Sequence, residues 1–344
     1  MNYSSESNRG LNLVALGGGT GLSTLLAGLK RRVGKHDGDE FWIQNLAAIV
    51  TVSDDGGSSG RLREELQMLP PGDIRNCMIA LSEDSTLLSR LFRHRFRGEG
   101  DLGGHSFGNL FLAALTEVTG DFVEAVRLSS EVLASKGHIY PATISDVRLV
   151  AELEDGTVVR GETQITASRS GIRSLRLEPE HCLPLPDTLA AIRTADVITV
   201  GPGSLYTSIL PNLLVARVAA AIGEARGTKI FICNLMTQPG ETDGYTARRH
   251  LETVKKYAPE IHFDFVIVNS QPVSEEQRAR YAAEGAKQVG IDEDPLDNAI
   301  SGETEVVRAA LLDEVEKARH NSDSLARVVV GCWEQAVSRP TVSA

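Results

Sequence analysis

Cysteines and aromatic residues are scarce in this chain, and it has no long apolar run. Its four cysteines form no Cys-X-X-Cys pair and have no histidines at zinc-ligand spacing, which argues against a disulfide scaffold or a zinc ribbon. No apolar stretch approaches the ~20 residues of a membrane-spanning helix, so we expect no membrane span. The first ten residues are polar and lack the apolar core of a signal peptide. Together these absences predict a cytoplasmic protein with reduced thiols.

Positive charge is in deficit as well. The 35 Lys and Arg residues against 46 Asp and Glu residues leave a net charge of −11. An acidic surface repels nucleic-acid phosphates and anionic lipid headgroups, so neither is an expected partner. The hydrophobic fraction of 42 % is ordinary and excludes a disordered chain. At about 150 residues per domain, 344 residues predict two domains, or one large α/β domain with an insertion.

Short apolar segments alternate with helical periodicity along most of the chain. Strands are predicted at 12–16, 46–52, 196–200, 229–233 and 263–268, and helices at 23–32, 61–68, 74–81, 106–118, 121–133, 212–225, 246–257 and 324–336. Such alternation indicates a doubly wound, mainly parallel sheet.

Two regions depart from this alternation. The sequence from 143 to 166 alternates with period two and turns at Asp155-Gly156, which predicts a small β-rich insertion over about 139–180. The segment 305–319 is predicted as a strand and a helix, or as one helix. We therefore predict a main α/β domain over 11–300 and a C-terminal extension over 301–344 that packs on it.

Glycine-rich and polar segments follow the predicted strands, where doubly wound sheets bind their ligands. After the first strand comes Gly17-Gly18-Gly19-Thr20-Gly21, whose backbone can bring N–H groups close to a phosphate. No Lys-Ser or Lys-Thr follows, which excludes a Walker A loop, and Leu22 replaces the third glycine of the dinucleotide fingerprint. A second anion-binding loop is predicted at Gly201-Pro202-Gly203-Ser204. Both loops predict a polyphosphate ligand, with plain tight turns as the alternative, and 234–242 is either a substrate loop or an ordinary turn.

Charged and hydroxyl side chains follow the second predicted strand. Asp54 and Asp55 can accept hydrogen bonds from a ribose or hold Mg²⁺. Ser58, Arg61 and Arg63 can donate hydrogen bonds to an anion. Helix capping by the aspartates and solvation of the arginines is the alternative.

Two helix starts carry further candidates. Asp73 and Asn76 lie three residues apart, so both can face one site beside Arg75, although helix capping explains Asp73 equally well. His105 and Asn109 can contact a substrate at the start of another helix. A hydrolase triad is a poor interpretation, because His105 and the adjacent serine cannot readily pair as base and nucleophile.

Six motifs of this chain resemble the gluconeogenesis factor (YvcK) family, within the wider CofD-like superfamily. They extend in order from about residue 13 to 243 and are LVALGGGTGLSTLLAGLK, TVSDDGGSSGRLR, LPPGDIRNCMIAL, HSFGNLFLAAL, GPGSLYTSILPNLLV and NLMTQPGETD. The resemblance implies a three-layer, Rossmann-like domain that binds a nucleotide.

The resemblance also implies a biological role. Members of the family are cytoplasmic bacterial proteins that are needed for normal cell shape during growth on gluconeogenic carbon sources, and they are associated with UDP-sugars such as UDP-N-acetylglucosamine. A regulator of this kind needs only to bind its ligand and change conformation. The expected contacts are the two glycine loops for the pyrophosphate, Asp54 or Asp55 for ribose or metal, and the arginines for anions. Expected partners are a second copy of the chain and proteins of cell-envelope synthesis.

The enzyme of the superfamily supplies an alternative. 2-Phospho-L-lactate transferase moves phospholactate from a guanylylated donor to a deazaflavin with Mg²⁺, and the resemblance would make Asp73 the metal ligand and His105 a proton acceptor. This chain has Leu22-Ser23-Thr24 where the transferase has small residues and a lysine, which favours binding over transfer. A nicotinamide cofactor, suggested by the first glycine loop alone, is a third alternative.

Overall fold

The computed structural model describes residues 10–35, 41–83, 87–290, 304–313 and 316–339. Its strands are β1 (Leu11–Gly17), β2 (Ile43–Val50), β3 (His138–Pro141), β4 (Arg148–Leu153), β5 (Val158–Arg160), β6 (Ile172–Glu178), β7 (Val197–Val200), β8 (Thr228–Ile232), β9 (Phe265–Asn269) and β10 (Glu305–Ala309). Its α-helices are α1 (Gly19–Leu29), α2 (Gly57–Leu66), α3 (Gly72–Leu81), α4 (Leu87–Arg93), α5 (Phe107–Thr119), α6 (Phe122–Val132), α7 (Glu162–Ala167), α8 (Pro186–Thr194), α9 (Leu210–Leu214), α10 (Val218–Glu224), α11 (Ala247–Tyr257), α12 (Glu275–Glu284) and α13 (Ser322–Ser338).

Seven parallel strands of the described chain form the main sheet in the order β10-β9-β8-β7-β1-β2-β3. From β1 the strands follow in chain order to β3 at one edge of the sheet. From β7 they follow in chain order to β10 at the other edge. Right-handed crossovers in opposite directions place their helices on opposite faces of the sheet. This confirms the three-layer, Rossmann-like α/β fold, and it puts the topological switch point between β1 and β7.

The first helix and the last described helix cover one part of this sheet. The predicted apolar face of α1 is buried and consists of Leu22, Leu25, Leu26 and Leu29. Helix α13 packs against it so closely that a methyl group added at Gly28 would overlap the carbonyl oxygen of Ser322. Burying one leucine side chain stabilises the fold by roughly 1.5–3 kcal/mol, so the apolar face holds α1 in the core.

Three secondary-structure predictions need correction. The helix predicted over 212–225 is wrong as one element, because the chain bends by 79° between Leu205–Leu214 and Val218–Glu224. The N–H of Ala216 donates to the Cys182 carbonyl oxygen, and Arg217 has a φ of +69°, so neither continues the helical ladder. After β10, no helix follows in the described residues 310–313 and 316–319. The first glycine turn is shorter than predicted, since β1 continues through Gly17 and α1 already begins at Gly19.

The predicted β-rich insertion contains an antiparallel sheet of order β5-β4-β6, with the β4–β5 hairpin at the predicted Asp155-Gly156 turn. Strand β3, at the start of the predicted range, instead pairs with β2 in the main sheet. Likewise β10, from the predicted extension, pairs with β9. Residues 36–40, 84–86, 291–303, 314–315 and 340–344 of the domain prediction lie outside the described residues.

All four cysteines are buried free thiols, as the sequence predicts. Within the described ranges, no single helix is both long and apolar enough to cross a bilayer. The segments Leu205–Leu214 and Val218–Glu224 pass the same test only when they are taken together, and the chain bends by 79° between them.

Candidate functional site

The two predicted glycine loops meet at the switch point. A methyl group added at Gly21 would overlap the carbonyl oxygen of Pro202 and lie 2.9 Å from the backbone nitrogen of Gly203. Gly201 has a φ of +89°, a backbone conformation that favours glycine. The Nδ2 of Asn212 donates to the carbonyl oxygen of Gly17 at 2.9 Å and ties the end of β1 to α9. The chain therefore brings together, as predicted, two loops that are about 180 residues apart.

Helix α1 begins inside the first loop, and its own N-cap residue supplies no side-chain cap. Its N-cap residue is Gly18, and Gly19 follows with a φ of +59°. The first N–H groups of a helix have no partner within the helix and carry partial positive charge. A helix start of this kind is suited to an anion such as a phosphate group.

A cavity of about 300 Å³ lies beside the two loops. Its wall combines both glycine loops with the loop after β8 and with the C-terminal part of the chain, and consists of Gly18, Gly19, Thr20, Gly21, Thr24, Pro202, Gly203, Ser204, Ser208, Asn234, Leu235, Met236, Gln238, Tyr281, Ala318, Arg319 and His320. Ligand pockets commonly measure roughly 300–1,000 Å³ and occur at switch points of α/β sheets. We call this cavity the loop compartment.

A second cavity of about 450 Å³ adjoins the loop compartment. Thr20, Thr24, Arg319 and His320 line both cavities, so the two share part of their wall. The second cavity lies between α1, α3 and the segment before α13, and we call it the helix compartment. Asn76, a predicted contact, is part of its wall.

The Asp73 carboxyl lies directly beneath the first glycine loop. It accepts hydrogen bonds from the backbone N–H of Gly19 and from the Asn76 side chain, which in turn accepts one from Arg75 Nη2 at 2.6 Å. Burial raises the pKa of Asp73 to about 6, and the nearby Asp54 acts in the same direction. Asp73 and Asn76, predicted to face one site, are hydrogen-bonded to each other, and Asp73 serves the start of α1 rather than its own helix.

Glu162 lies near Asp73, and Glu241 lies near Glu162. Burial, followed by the charges of Asp54 and Asp73, raises the pKa of Glu162 to about 9. Glu241 is 2 % exposed, and it accepts hydrogen bonds from Ser204 Oγ at 2.6 Å and Thr166 Oγ1 at 3.3 Å. Ser204 belongs to the second glycine loop and Thr166 to the insertion. Glu241 therefore connects the cavity wall to the insertion.

The donor set around Asp73 bears on the predicted Mg²⁺. No three or more His, Cys, Asp or Glu side chains of the described chain are close enough together to hold a metal ion. Mg²⁺ in nucleotide sites is usually held by one or two carboxylates together with ligand phosphates. Asp73 and Asp54 therefore fit a site in which one or two carboxylates and the phosphates of a ligand hold the ion together. They do not fit a site in which protein side chains alone surround the ion.

Three predicted contacts are engaged elsewhere in the fold. Asp55 Oδ1 accepts from the backbone N–H and the hydroxyl of Thr163, at 2.8 and 2.7 Å, and so holds the start of α7. Arg61 Nη2 donates to the carbonyl oxygen of Gly103 at 2.7 Å. Arg63 is 3 % exposed, donates to the Val147 carbonyl oxygen and pairs with an exposed aspartate. The side chains of Asp55, Arg61 and Arg63 line neither compartment.

Ser58, His105 and Asn109 form a buried hydrogen-bonded group between α2 and α5. The Ser58 hydroxyl lies 2.9 Å from His105 Nδ1 and accepts from Asn109 Nδ2 at 3.1 Å. Burial lowers the pKa of His105, and the charge of Arg61 does so further. These residues do not line the compartments, and their arrangement joins two helices.

Replacing Asp55 by alanine is expected to loosen the insertion. The change leaves the Thr163 N–H and hydroxyl without their carboxylate acceptor, which costs about 1.5 kcal/mol for a hydrogen bond to a charged group. Amide hydrogen exchange over 162–167 should then accelerate about tenfold. Asp121→Ala removes a comparable cap from α6, where Asp121 accepts from the Glu124 N–H, and should leave 162–167 unchanged. Equal exchange in both variants would contradict the role of Asp55.

Sequence reasoning missed several residues of the cavity wall. The side chains of Tyr281, Arg319 and His320 come from the last quarter of the chain, where no motif was recognised. The loop 234–242, predicted as a substrate loop or an ordinary turn, lies at the cavity wall, where Asn234 Oδ1 accepts from the Gly203 N–H at 3.2 Å and Gln238 also lines the cavity. The signal for this loop was its position after a strand.

Comparison with known proteins first defines the class. The family model of the 2-phospho-L-lactate transferase CofD matches residues 13–312. A crystal structure of a UPF0052 family member from Bacillus halodurans superposes with a TM-score of 0.86 at 44 % identity, covering 94 % of this chain and 99 % of that one.

Two curated relatives narrow the class further. A gluconeogenesis factor of Bacillus subtilis is 45 % identical over 92 % of this chain and 96 % of its own length. One from Halalkalibacterium halodurans is 44 % identical over 93 % and 95 %. The chain therefore belongs to the CofD family and, within it, to the gluconeogenesis factors. The resemblance carried by the six sequence motifs is confirmed.

Proposed function

We propose that this protein binds a nucleotide sugar, with UDP-N-acetylglucosamine as the representative ligand, and that it acts as a cytoplasmic regulator that links gluconeogenic carbon metabolism to cell shape. Proteins of cell-envelope synthesis and a second copy of the chain are the proposed partners. The gluconeogenesis factors to which the chain is related support the metabolic part of this role.

One observation carries the binding proposal. The backbone contact of Gly21 with Pro202 and Gly203 places two glycine loops side by side at the switch point. The start of α1, whose N-cap residue Gly18 has no side chain, adds N–H donors and partial positive charge at the same place, although Asp73 already accepts the Gly19 N–H. A pyrophosphate beside both loops would leave the rest of a nucleotide sugar to occupy the two compartments.

The Glu241 connection supports a regulatory output. A phosphate that takes the Ser204 hydroxyl as a donor competes with Glu241 for its proton. Glu241 also accepts from Thr166 in the insertion, so a change at one hydrogen bond alters the other. A ligand that binds two conformations unequally shifts the balance between them, and here the insertion is the element that would respond.

Thermal unfolding with UDP-N-acetylglucosamine tests the binding proposal. Ligand at 100 times its dissociation constant should stabilise the folded chain by about 2.7 kcal/mol and raise Tm by a few degrees. N-Acetylglucosamine without the nucleotide is the matched control and should give no shift. FAD, NADP and GDP, each with and without Mg²⁺, complete the panel. Absence of a shift with every UDP-sugar contradicts the proposal.

A second candidate function is Mg²⁺-dependent phospholactyl transfer. The family match over 13–312 and the Asp73 carboxyl beneath the glycine loop favour it. Asp73 and Asp54 would hold the ion, whose charge would neutralise ligand phosphates. This candidate requires a Tm shift with GDP that depends on Mg²⁺, and product from a guanylylated donor and a deazaflavin. Well-folded protein that forms no product contradicts it.

A further inference from the structure

A basic surface lies beside the candidate site, on α4 and on the hairpin 94–106 that follows it, and we call it the arginine surface. Residues 90–97 contain no Asp or Glu, in a chain whose net charge is −11. Glu99 and Asp101 in the hairpin leave four arginines against two carboxylates. The basic side chains of 90–97 are all exposed and are Arg90, Arg93, His94, Arg95 and Arg97.

Exposed leucines stand among these charges. Leu87 and Leu91 lie one turn apart on α4 and therefore share a face, with exposed fractions of 69 % and 39 %. Leu102 in the hairpin is 56 % exposed. A single exposed leucine is ordinary in a folded protein, but here three accompany four arginines, and the segment 87–106 has no lysine. Apolar groups with arginine, and few lysines, are typical of protein–protein interfaces.

The fold already holds the arginine surface in place. On the buried side of α4, the ring of Phe92 packs against that of Phe111, with centroids 5.0 Å apart. In the hairpin, the N–H of Phe96 donates to the His105 carbonyl oxygen at 2.9 Å, and the N–H of Gly104 donates to the Phe96 carbonyl oxygen at 3.0 Å. An ordered surface of this kind loses little conformational entropy when a partner binds.

Arg75 connects the arginine surface to the candidate site. Its Nη1 donates to Ser106 Oγ in the hairpin at 2.6 Å, and its Nη2 donates to Asn76 Oδ1 at 2.6 Å. Asn76 lines the helix compartment and is hydrogen-bonded to Asp73. Arg93, on α4, lines the same compartment. The arginine surface therefore borders the candidate site and is hydrogen-bonded to its wall.

We propose that the arginine surface is the docking site for a partner protein whose own docking face carries carboxylates with apolar side chains among them. The inference rests on the proposed regulatory function, because a regulator passes its signal to a partner, and it adds the chemistry of that partner. Charge complementarity supports it, since a guanidinium group binds a carboxylate through two parallel hydrogen bonds. Apolar side chains of the partner would cover the leucines.

Two other occupants fit the arginine surface less well. An anionic membrane would attract the arginines but repel the acidic remainder of the chain. A second copy related by a two-fold axis through this surface would place arginines against arginines. Both occupants are therefore outcomes that the test must distinguish from an acidic protein.

Fluorescence anisotropy with a fluorescein-labelled peptide of Glu-Glu-Leu repeats tests the arginine surface. Arg90→Glu/Arg97→Glu is compared with Arg226→Glu/Arg278→Glu, which changes two exposed arginines elsewhere and alters the net charge equally. We expect the dissociation constant to rise about tenfold in the first double variant, because attraction becomes repulsion, and to stay unchanged in the second. Added salt should weaken binding by the unaltered protein.

Leu87→Ser, with Leu183→Ser as the matched control, tests the apolar part of the surface. The two leucines are 69 % and 63 % exposed, so both variants should keep the unfolding temperature of the unaltered protein. Leu87→Ser should weaken peptide binding about fivefold, because the leucines of the peptide lose apolar contact. Equal affinity in the two variants would mean that charge alone holds the peptide, which overturns a docking site of mixed character.

Three further outcomes overturn the inference. The first is that the unaltered protein does not bind the peptide, or that both double variants weaken binding equally. The second is adsorption to phosphatidylserine vesicles that Arg90→Glu/Arg97→Glu abolishes, and the third is a dimer in sedimentation equilibrium that the same variant dissociates. The Tm shift with UDP-N-acetylglucosamine is measured separately. A protein that shows this shift without binding the peptide contradicts the inference alone, whereas peptide binding without any shift counts against the proposed function.

Discussion

Gly21→Ala is expected to remove most nucleotide-sugar binding from a chain that still folds. The added methyl group would overlap the carbonyl oxygen of Pro202 and lie 2.9 Å from the nitrogen of Gly203. Both obstacles are backbone atoms, so the two loops must move apart. Overpacking of this kind costs typically 1–3 kcal/mol, and a dissociation constant weaker by roughly 5- to 150-fold follows if the loops hold the pyrophosphate.

Gly331→Ala is the matched control for this change. It lies within α13, and a methyl group there would meet no atom within 4 Å. Alanine in a helix interior is more stable than glycine by roughly 0.5–1 kcal/mol, so this variant should unfold later and bind normally. Calorimetric titration of both variants makes the comparison. Unaltered affinity in Gly21→Ala would mean that the contact between the loops does not shape the binding site.

Glu162→Gln is expected to remove a large part of the loss of stability that the chain undergoes as the pH rises from 5 to 9. The pKa of Glu162 rises from 4.5 to about 9 in the folded chain, mainly through burial and then through the charges of Asp54 and Asp73. The fold thus favours the protonated carboxyl. Its contribution is fully present below pH 4.5 and is lost as the pH rises through 9. Asp73, with its pKa raised from 3.8 to about 6, acts in the same direction at lower pH.

Urea unfolding between pH 5 and 9 measures this effect. The unaltered chain should lose free energy of unfolding across this range, and the glutamine variant should keep about 2 kcal/mol more of it at pH 8. Glu117→Gln changes an exposed carboxylate on α5 and should behave like the unaltered chain. Parallel pH profiles for all three proteins would show that the carboxyl group at 162 is not strained by its neighbours.

Much of the scaffold follows from local sequence alone. The spacing of Leu22, Leu25, Leu26 and Leu29 predicts the buried face of α1, and Asp121 caps α6 as its position indicates. The Asp155-Gly156 turn predicts the β4–β5 hairpin. These features depend on side-chain period and on the backbone preferences of a few neighbouring residues, which a sequence displays directly.

The sequence also locates the candidate site at one edge of the sheet. Parallel strands bring their carboxyl ends to the same edge, so loops that follow strands gather there whatever their separation along the chain. This is why the glycine loops around Gly19 and Gly203 are predicted as partners before their contact is known.

Only the tertiary structure decides which side chains belong to that site. Asp55 lies in a polar loop of the right kind, yet its carboxylate holds Thr163, 108 residues away. His320 carries no local signal, yet it lies beside the first glycine loop. A local pattern specifies period and turns, whereas the partner of a side chain is set by residues distant in sequence that the fold brings within 3 Å. The sequence itself therefore determined the helices, the strands and the edge of the sheet at which the candidate site lies. Packing determined which side chains line that site.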